Sequence, residues 1–185
     1  MRRRALLLLL LLPPRAQAAP LDDVMAQLAA VREGRASFVE DRVLPELDQP
    51  LTLRGTLHWI APDRLEKRTL TPNEETLSVA GDRLLWLRPG ENGRQEMSLD
   101  QAPEIRVLVE AIRSTLAGDL ATLRRFYEVA FSGGPAGWRM VLTPLSTRVR
   151  GMVQRIEIAG RGAELRSVET QGQGGTTRMV IEPAR

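Results

Sequence analysis

The 185-residue sequence has no cysteine, a single histidine and few aromatic residues, namely three Trp, three Phe and one Tyr. Without cysteine the chain has no disulfide framework and no thiol nucleophile, so its fold must rest on an apolar core. His58 is the one candidate base for a Ser-His-Asp triad, and it falls on the solvent side of a predicted strand. Metal sites built on histidine or cysteine are excluded too, and we expect no metal and no cofactor.

Other signatures of catalysis are also missing. The adjacent carboxylates Asp22-Asp23 and Glu74-Glu75 diverge on regular backbone, and the glycines 133–134 and 172–175 lie between predicted strands rather than before a helix. We therefore expect no enzyme activity. A hydrolase acting on an acyl or glycosyl group, with carboxylates that converge in space, stays as a minor alternative.

The sequence also lacks an excess of charge of one sign. Its 26 Lys and Arg against 23 Asp and Glu give +3, and only Lys67 is a lysine. The arginines alternate with acidic residues, and there is no aromatic platform on which bases could stack. Nucleic acid is therefore not an expected partner.

The first residues, MRRRALLLLLLLPPRAQAAP, have the three parts of a secretory signal peptide: arginines, a leucine run and a small-residue cleavage site. The leucine run spans residues 6–12, whereas a membrane-spanning helix needs about 20 apolar residues. We predict a signal peptide over residues 1–18, export to the periplasm and one domain over residues 19–185. Cleavage would remove four arginines, changing the net charge to 22 − 23 = −1.

The segment from Leu51 to Leu87 predicts strands with one apolar face. Its first strand places Leu57 and Trp59 on one side, because alternate side chains of a strand share a face, and Pro62 ends it. Further strands are predicted over residues 65–70, 76–80, 84–87 and 94–99, after an earlier one over residues 36–43. Five more follow later, near residues 129–131, 138–142, 148–158, 164–170 and 176–182.

Helices are predicted over residues 21–32, with Gly34 as the stop, and over residues 103–117, where apolar residues recur every three or four positions. Asp119 is a candidate cap for a short third helix. This order predicts a mainly β, α+β fold, in which an antiparallel sheet forms a half-open barrel and the helices cap its concave face.

Several blocks together resemble the LolA family of periplasmic outer-membrane lipoprotein carriers. They are ASFVEDR, GTLHWIAPDRL, PNEETLSVAGDRLLWL, WRMVLTP and VQRIEIAGRGAELRSVET, and they occur in the family's order over nearly the whole chain after residue 18. The resemblance implies a hydrophobic cavity that takes acyl chains of a lipid or lipoprotein from an inner-membrane donor complex to an outer-membrane acceptor, with the carrier acting as a chaperone and monomer.

One position departs from the family pattern. Family carriers of lipoproteins have an arginine immediately before the proline of this block, and it helps to hold the helical cover closed, whereas this sequence has Ala61 before Pro62. The departure favours a cargo other than the usual lipoproteins. A periplasmic sensor or scaffold that binds a protein partner with the same fold is the alternative.

Strand parity and the helix stripe select the residues expected to line the cavity. They are Leu57, Trp59, Leu77, Val79, Trp86, Met97, Leu108, Ile112, Leu116, Met140 and Leu142.

Overall fold

The computed structural model describes residues 21–90 and 93–184. The signal peptide predicted for residues 1–18 lies outside the described residues. The helices are α1 (Leu21–Ala29), a 3-10 turn (Leu99–Gln101), α2 (Pro103–Leu116), α3 (Leu120–Phe126) and α4 (Thr147–Arg150). The strands are β1 (Glu33–Val43), β2 (Leu51–Ile60), β3 (Arg64–Thr71), β4 (Glu75–Ala80), β5 (Arg83–Leu87), β6 (Arg94–Ser98), β7 (Tyr127–Gly134), β8 (Gly137–Pro144), β9 (Val153–Arg161), β10 (Glu164–Gly172) and β11 (Gly175–Pro183).

All eleven strands form one antiparallel sheet that does not close on itself. Its order is β6-β5-β4-β3-β2-β1-β11-β10-β9-β8-β7, so the first and last strands of the chain lie together in the middle. Phe38 of β1 stands opposite Gly55 of β2 on one side and opposite Ile181 of β11 on the other. The antiparallel sheet predicted from the sequence is confirmed, and β6 and β7 are its two free edges.

Directly paired residues share a face of a sheet, so the register defines one face from edge to edge. We call it the helix face, because its buried side chains pack with those of the helices. Its members on β2 are Leu53, Gly55, Leu57 and Trp59, and the paired positions continue to Met97 at one edge and Phe131 at the other. The opposite face carries mostly arginine, glutamate, serine and threonine.

The helix face holds two apolar cores. The main core joins α1, α2 and α3 to the half of the sheet that contains β7–β11, and Met140, Leu142, Ile156 and Ile158 in it are fully buried. The minor core joins the 3-10 turn and α2 to β4 and β5. Its buried residues are Val79, Leu84, Leu99 and Val109. Helix α2 therefore contributes to both cores.

Two boundaries differ from the predictions. Helix α1 ends at Ala29 and not at Arg32, because Gly34 pairs with Trp59 inside β1 instead of stopping a helix. The segment predicted as a strand from residue 148 begins with α4, where the Ser146 side chain accepts a hydrogen bond from the Val149 N–H and caps a helical turn. In the described ranges, no helix is both long and apolar enough to cross a membrane.

Candidate functional site

The eleven residues predicted to line a cavity lie on the helix face or on α2, but they divide between the two cores. Six belong to the main core or pack against it: Leu57, Leu108, Ile112, Leu116, Met140 and Leu142. Three belong to the minor core or its margin: Leu77, Val79 and Met97. Trp59 is buried beside the end of α1 and donates its indole N–H to the Val31 carbonyl, whereas Trp86 lies in a charged part of the face.

Some apolar residues of this face are less covered than their neighbours. Leu57, Leu77 and Met179 are only partly buried, and so are Leu108 and Ile112 of α2, whereas Met140 and Leu142 are fully buried. Leu57 lies at the margin of the main core and Leu77 at the margin of the minor core.

Two arginines of α2 hold the helix to the turn between β4 and β5. Arg113 donates one hydrogen bond to the Gly81 carbonyl (2.6 Å) and another to Glu110 (2.5 Å), a carboxylate that is only 5% exposed. Two turns earlier, Arg106 forms a salt bridge of 3.2 Å with Asp82. In these contacts the cations belong to the helix and their partners to the sheet. They lie at the same end of the sheet as Ala61, the position at which family carriers have an arginine.

Toward the opposite end of the strands, the helix face becomes charged. The Glu40 carboxylate is 2% exposed and uses both oxygens, accepting from Arg42 Nε at 2.6 Å and from Lys67 Nζ. The two cations are more exposed, at 34% for Arg42 and 21% for Lys67. The carboxylate therefore lies beneath its cations, which are the groups that solvent reaches.

A second charged group continues this band on β4 and β5. Glu75 accepts a hydrogen bond from the Trp86 indole (3.2 Å) and lies 3.5 Å from Arg88 Nε. The Arg88 guanidinium covers the Trp86 ring at 3.7 Å from its centroid, a cation–π contact. We call Glu40, Arg42, Lys67, Glu75 and Arg88 the charged rim. Three cations and two carboxylates leave it one excess positive charge.

Gly55 explains how Lys67 reaches Glu40 across β2. A Cβ at Gly55 would overlap the Arg68 carbonyl and lie 2.9 Å from the Phe38 ring, so only glycine leaves room for that ring. The Lys67 ammonium passes 4.9 Å above the Phe38 centroid to reach Glu40. Burial lowers the pKa of Lys67 below its ordinary value, against the opposite effect of the Glu40 carboxylate.

Thr69 adds an unsatisfied group to the same place. It follows Lys67 on the helix face of β3, is 1% exposed, and stands opposite both Gly55 and Glu75. Across the described ranges, its Oγ1 is the one buried side-chain polar atom without a hydrogen-bond partner. A buried hydroxyl without a hydrogen-bond partner is costly.

The charged rim was not predicted from the sequence, although strand parity could have indicated it. Phe38 and Glu40 share a face of β1, and Leu65 and Lys67 share a face of β3. A single lysine on the same strand face as an apolar residue could have indicated a charged group on this face. Its partner could not be identified from the sequence, because Lys67 and Glu40 are 27 positions apart.

Two open surface depressions lie near these residues. One, of about 610 Å³, is lined by Pro72, Asn73, Glu74, Glu75, Arg88 and Pro89, beside the charged rim. The other, of about 210 Å³, is lined by Ser78, Val79, Ala80, Arg83, Leu85, Arg94 and Glu96. Neither of these two depressions lies between the two cores.

The single histidine makes an ordinary surface contact outside the rim. His58 Nε2 lies 2.8 Å from Glu33 Oε1 on the opposite face, where the hydrogen bond from His58 lowers the Glu33 pKa. Within the described ranges, no three His, Cys, Asp or Glu side chains are grouped to hold a metal ion. The features that distinguish this protein are therefore an apolar face covered by α2 and a charged rim beside it.

Together, an open antiparallel sheet and an apolar helix face define a LolA-like fold. The profile of the family described as outer membrane lipoprotein carrier protein LolA-like matches residues 13–183, and the chain belongs to this family. The family resemblance found in the sequence is thereby confirmed. A search of curated proteins found no match.

Solved structures with a similar fold share little sequence with the chain. A LolA superfamily protein from Nitrosomonas europaea has 11% identity and a TM-score of 0.43, with 91% of this chain and 93% of that one covered. LprF from Mycobacterium bovis has 12% identity and a TM-score of 0.39, with 88% and 89% covered. The matched chain of the Pseudomonas aeruginosa MucA/MucB complex has 12% identity and a TM-score of 0.49, with 89% of this chain and 56% of that one covered.

Proposed function

We propose that the protein is a periplasmic carrier that binds acyl chains of a lipid or lipoprotein on its helix face and shuttles them from the inner to the outer membrane. Family membership supports this function, since the family takes its description from lipoprotein carriers. The observation that carries the proposal is the set of partly buried apolar residues at the margins of the two cores, Leu57 and Leu77 on the sheet and Leu108 and Ile112 on α2. In this view residues 19–185 form one domain and residues 1–18 are its signal peptide.

The helices act as the cover of a half-open barrel in this proposal. Helix α2 belongs to both cores, so displacing it would uncover the partly buried Leu57 and Leu77 together with Leu108 and Ile112. Each methylene transferred from water to such a surface gains roughly 0.8 kcal/mol. A chain of ordinary length can therefore be carried through water while the cover closes over part of it.

The contacts of Arg106 and Arg113 with Asp82 and Gly81 are suited to a cover that opens. They are few and polar, and they lie at one end of the helix face. Release of cargo needs a site that binds without locking, and a cover held by such contacts meets that need.

Native mass spectrometry of protein purified from periplasm tests the proposal. We expect a bound lipid, and we expect Leu57→Glu and Ile112→Glu to lose it, because each places a charge on the surface where the acyl chain lies. Val180→Glu is the matched control, since Val180 is 46% exposed on the opposite face. Absence of lipid from the wild type, or equal loss in all three variants, would reject the carrier function.

The alternative, a periplasmic sensor or scaffold, predicts a different result in the same preparation. A protein partner would then bind with an affinity that delipidation does not change, as measured by pull-down before and after lipid extraction. The inner-membrane donor and outer-membrane acceptor that a carrier needs would, in contrast, bind in a lipid-dependent manner.

A further inference from the structure

We propose that the charged rim is a headgroup site, in which Lys67 and Arg42 bind the anionic group of a single-chain lipid whose acyl tail lies between the two cores. The inference rests on the proposed carrier function and narrows its cargo to acyl chains that bear a carboxylate or phosphate. Its basis is the arrangement of Glu40, Arg42, Lys67 and Thr69 on the helix face.

The charges of the rim lie at different depths. Glu40 is 2% exposed, whereas the side chains of Arg42 and Lys67 are 34% and 21% exposed. An anion that approaches from solvent thus meets two cations before it meets the carboxylate. Of the Arg42 guanidinium, only Nε donates a hydrogen bond to Glu40. The two terminal nitrogens of Arg42 have no hydrogen-bond partner among the described residues.

Glu40, Arg42 and Lys67 form an arrangement that is costly to bury. A buried carboxylate with two cations is expensive to desolvate, and apolar side chains of similar size would stabilise this face as well or better. Lys67 is moreover the single lysine of a chain that otherwise uses arginine for every basic residue. Stability alone therefore gives no reason for this trio, whereas anion binding uses its excess positive charge.

The Thr69 hydroxyl also favours a ligand at this place. It is buried next to Lys67 on the same face and lacks a partner among the described residues. A phosphate or carboxylate oxygen that displaces Lys67 from Glu40 would gain a hydroxyl donor as well as the ammonium. In this proposal the ligand supplies the hydrogen-bond partner of the Thr69 hydroxyl.

The rim also adjoins the apolar residues of the helix face. Leu57 and Leu77 flank Lys67 in the same row across the sheet, so the apolar surface meets the rim at Lys67. The rim lies toward the strand ends opposite the Gly81 turn, where the arginines of α2 are attached. A single-chain lipid can therefore place its tail under α2 and its headgroup at Lys67.

Binding of two lipids of equal chain length, anionic lysophosphatidylglycerol and neutral monoacylglycerol, tests the headgroup site. We expect the wild type to prefer the anionic lipid and Lys67→Met to lose roughly tenfold in affinity for it alone, the range of one charged hydrogen bond. Glu40→Gln should strengthen anionic binding, because it frees both cations. Arg68→Gln, the matched control on the opposite face of β3, should change neither affinity.

A purely structural ion pair predicts other outcomes. Lys67→Met and Glu40→Gln would then weaken both lipids equally, which would overturn the headgroup site. If Lys67→Met does not fold, the uncharged Glu40→Gln/Lys67→Met pair tests the same point. Equal wild-type affinity for the two lipids rejects the headgroup site alone, whereas binding of neither lipid rejects the carrier function and the site with it.

Because Lys67 is the single lysine, the headgroup site can also be tested in the wild-type protein without a substitution. Reductive methylation of Lys67, followed by peptide mass spectrometry, should be slowed by lysophosphatidylglycerol and not by monoacylglycerol. Inorganic phosphate serves as the competitor. Protection by phosphate alone at the same concentration would reassign the site to free phosphate and overturn the lipid headgroup.

Discussion

Single residues show how a local rule and its exceptions combine in this protein. Strand parity places Leu57 and Trp59 on the helix face, and the same parity places Glu40 and Lys67 there, against the expectation of a continuous apolar surface. The exception depends on Gly55, whose missing side chain lets the Phe38 ring and the lysine stem cross β2. The residues that break the pattern are the ones to which we assign headgroup binding.

Asp119 gives a prediction at this scale. Its carboxylate caps α3 by accepting a hydrogen bond from the Thr122 N–H at 2.9 Å, and hydrogen bonds from Thr122 lower its pKa. Asp119→Ala should reduce the free energy of unfolding by about 1 kcal/mol at neutral pH. Because the folded pKa is lowered, the contribution is present above the unfolded value and is lost as pH falls through the folded one.

Urea denaturation of the wild type and Asp119→Ala at pH 7 and at pH 2.5 measures this effect. The difference between the two proteins should shrink at the acid pH. Asp119→Asn is the control, since asparagine also caps helices and should keep most of the stability at both pH values. A difference that does not depend on pH would show that the carboxylate charge plays no part.

Among the elements, α2 has the largest role, because it contributes to both cores and carries the contacts to the β4–β5 turn. Its apolar stripe was predicted from three- and four-residue spacing, and that helix is confirmed as Pro103–Leu116. The spacing did not indicate the polar side of α2, where Glu110 is 4% exposed and Arg113 reaches Gly81. Gly118 then ends the helix with a positive φ of 66° and close contact to α1.

Removing the Arg113 contact should loosen α2. Arg113→Gln leaves the Glu110 carboxylate buried without a cation, so we expect a loss of about 3 kcal/mol in the free energy of unfolding. The double variant Glu110→Gln/Arg113→Gln should lose less, because no charge remains unpaired. In both variants, hydrogen exchange of the α2 amides should become faster, since the Gly81 hydrogen bond is gone.

Arg124→Gln is the control for this experiment, because Arg124 is exposed on α3. Its α2 amides should exchange at the wild-type rate. Unchanged exchange in the double variant would mean that the two cores alone hold α2 in place, and that Arg113 does not regulate the cover.

At the scale of the whole molecule, the open sheet brings the two halves of the chain together. Strand β1 pairs with β11, so residues 33–43 form the middle of the sheet with residues 175–183. Both cores then meet on α2, and this arrangement is a property of the assembled sheet. No single strand or helix contains it.

A carrier that opens by moving α2 should fail when α2 is tied to the sheet. Asp82 and Arg106 form an exposed salt bridge of 3.2 Å, so Asp82→Cys/Arg106→Cys places two thiols within reach of a short bifunctional reagent. The chain has no other cysteine to compete. Cross-linking should abolish uptake of a fluorescent acyl chain, and a reducible reagent should allow recovery.

The single variants, treated with the same reagent, control for modification without a bridge. They should take up the lipid normally. Full uptake by the bridged protein would place the entry route away from α2 and would contradict the proposed motion of the cover.

The sequence by itself determined what is local. Alternation of side chains along a strand and the three- to four-residue spacing of α2 are set by backbone geometry, so the strands, the main helices and the apolar parity of β2 were predictable. Tertiary structure decided which strands meet, because pairing joins residues far apart in the chain. Lys67 therefore reaches Glu40, and α2 bridges two cores, only in the folded sheet.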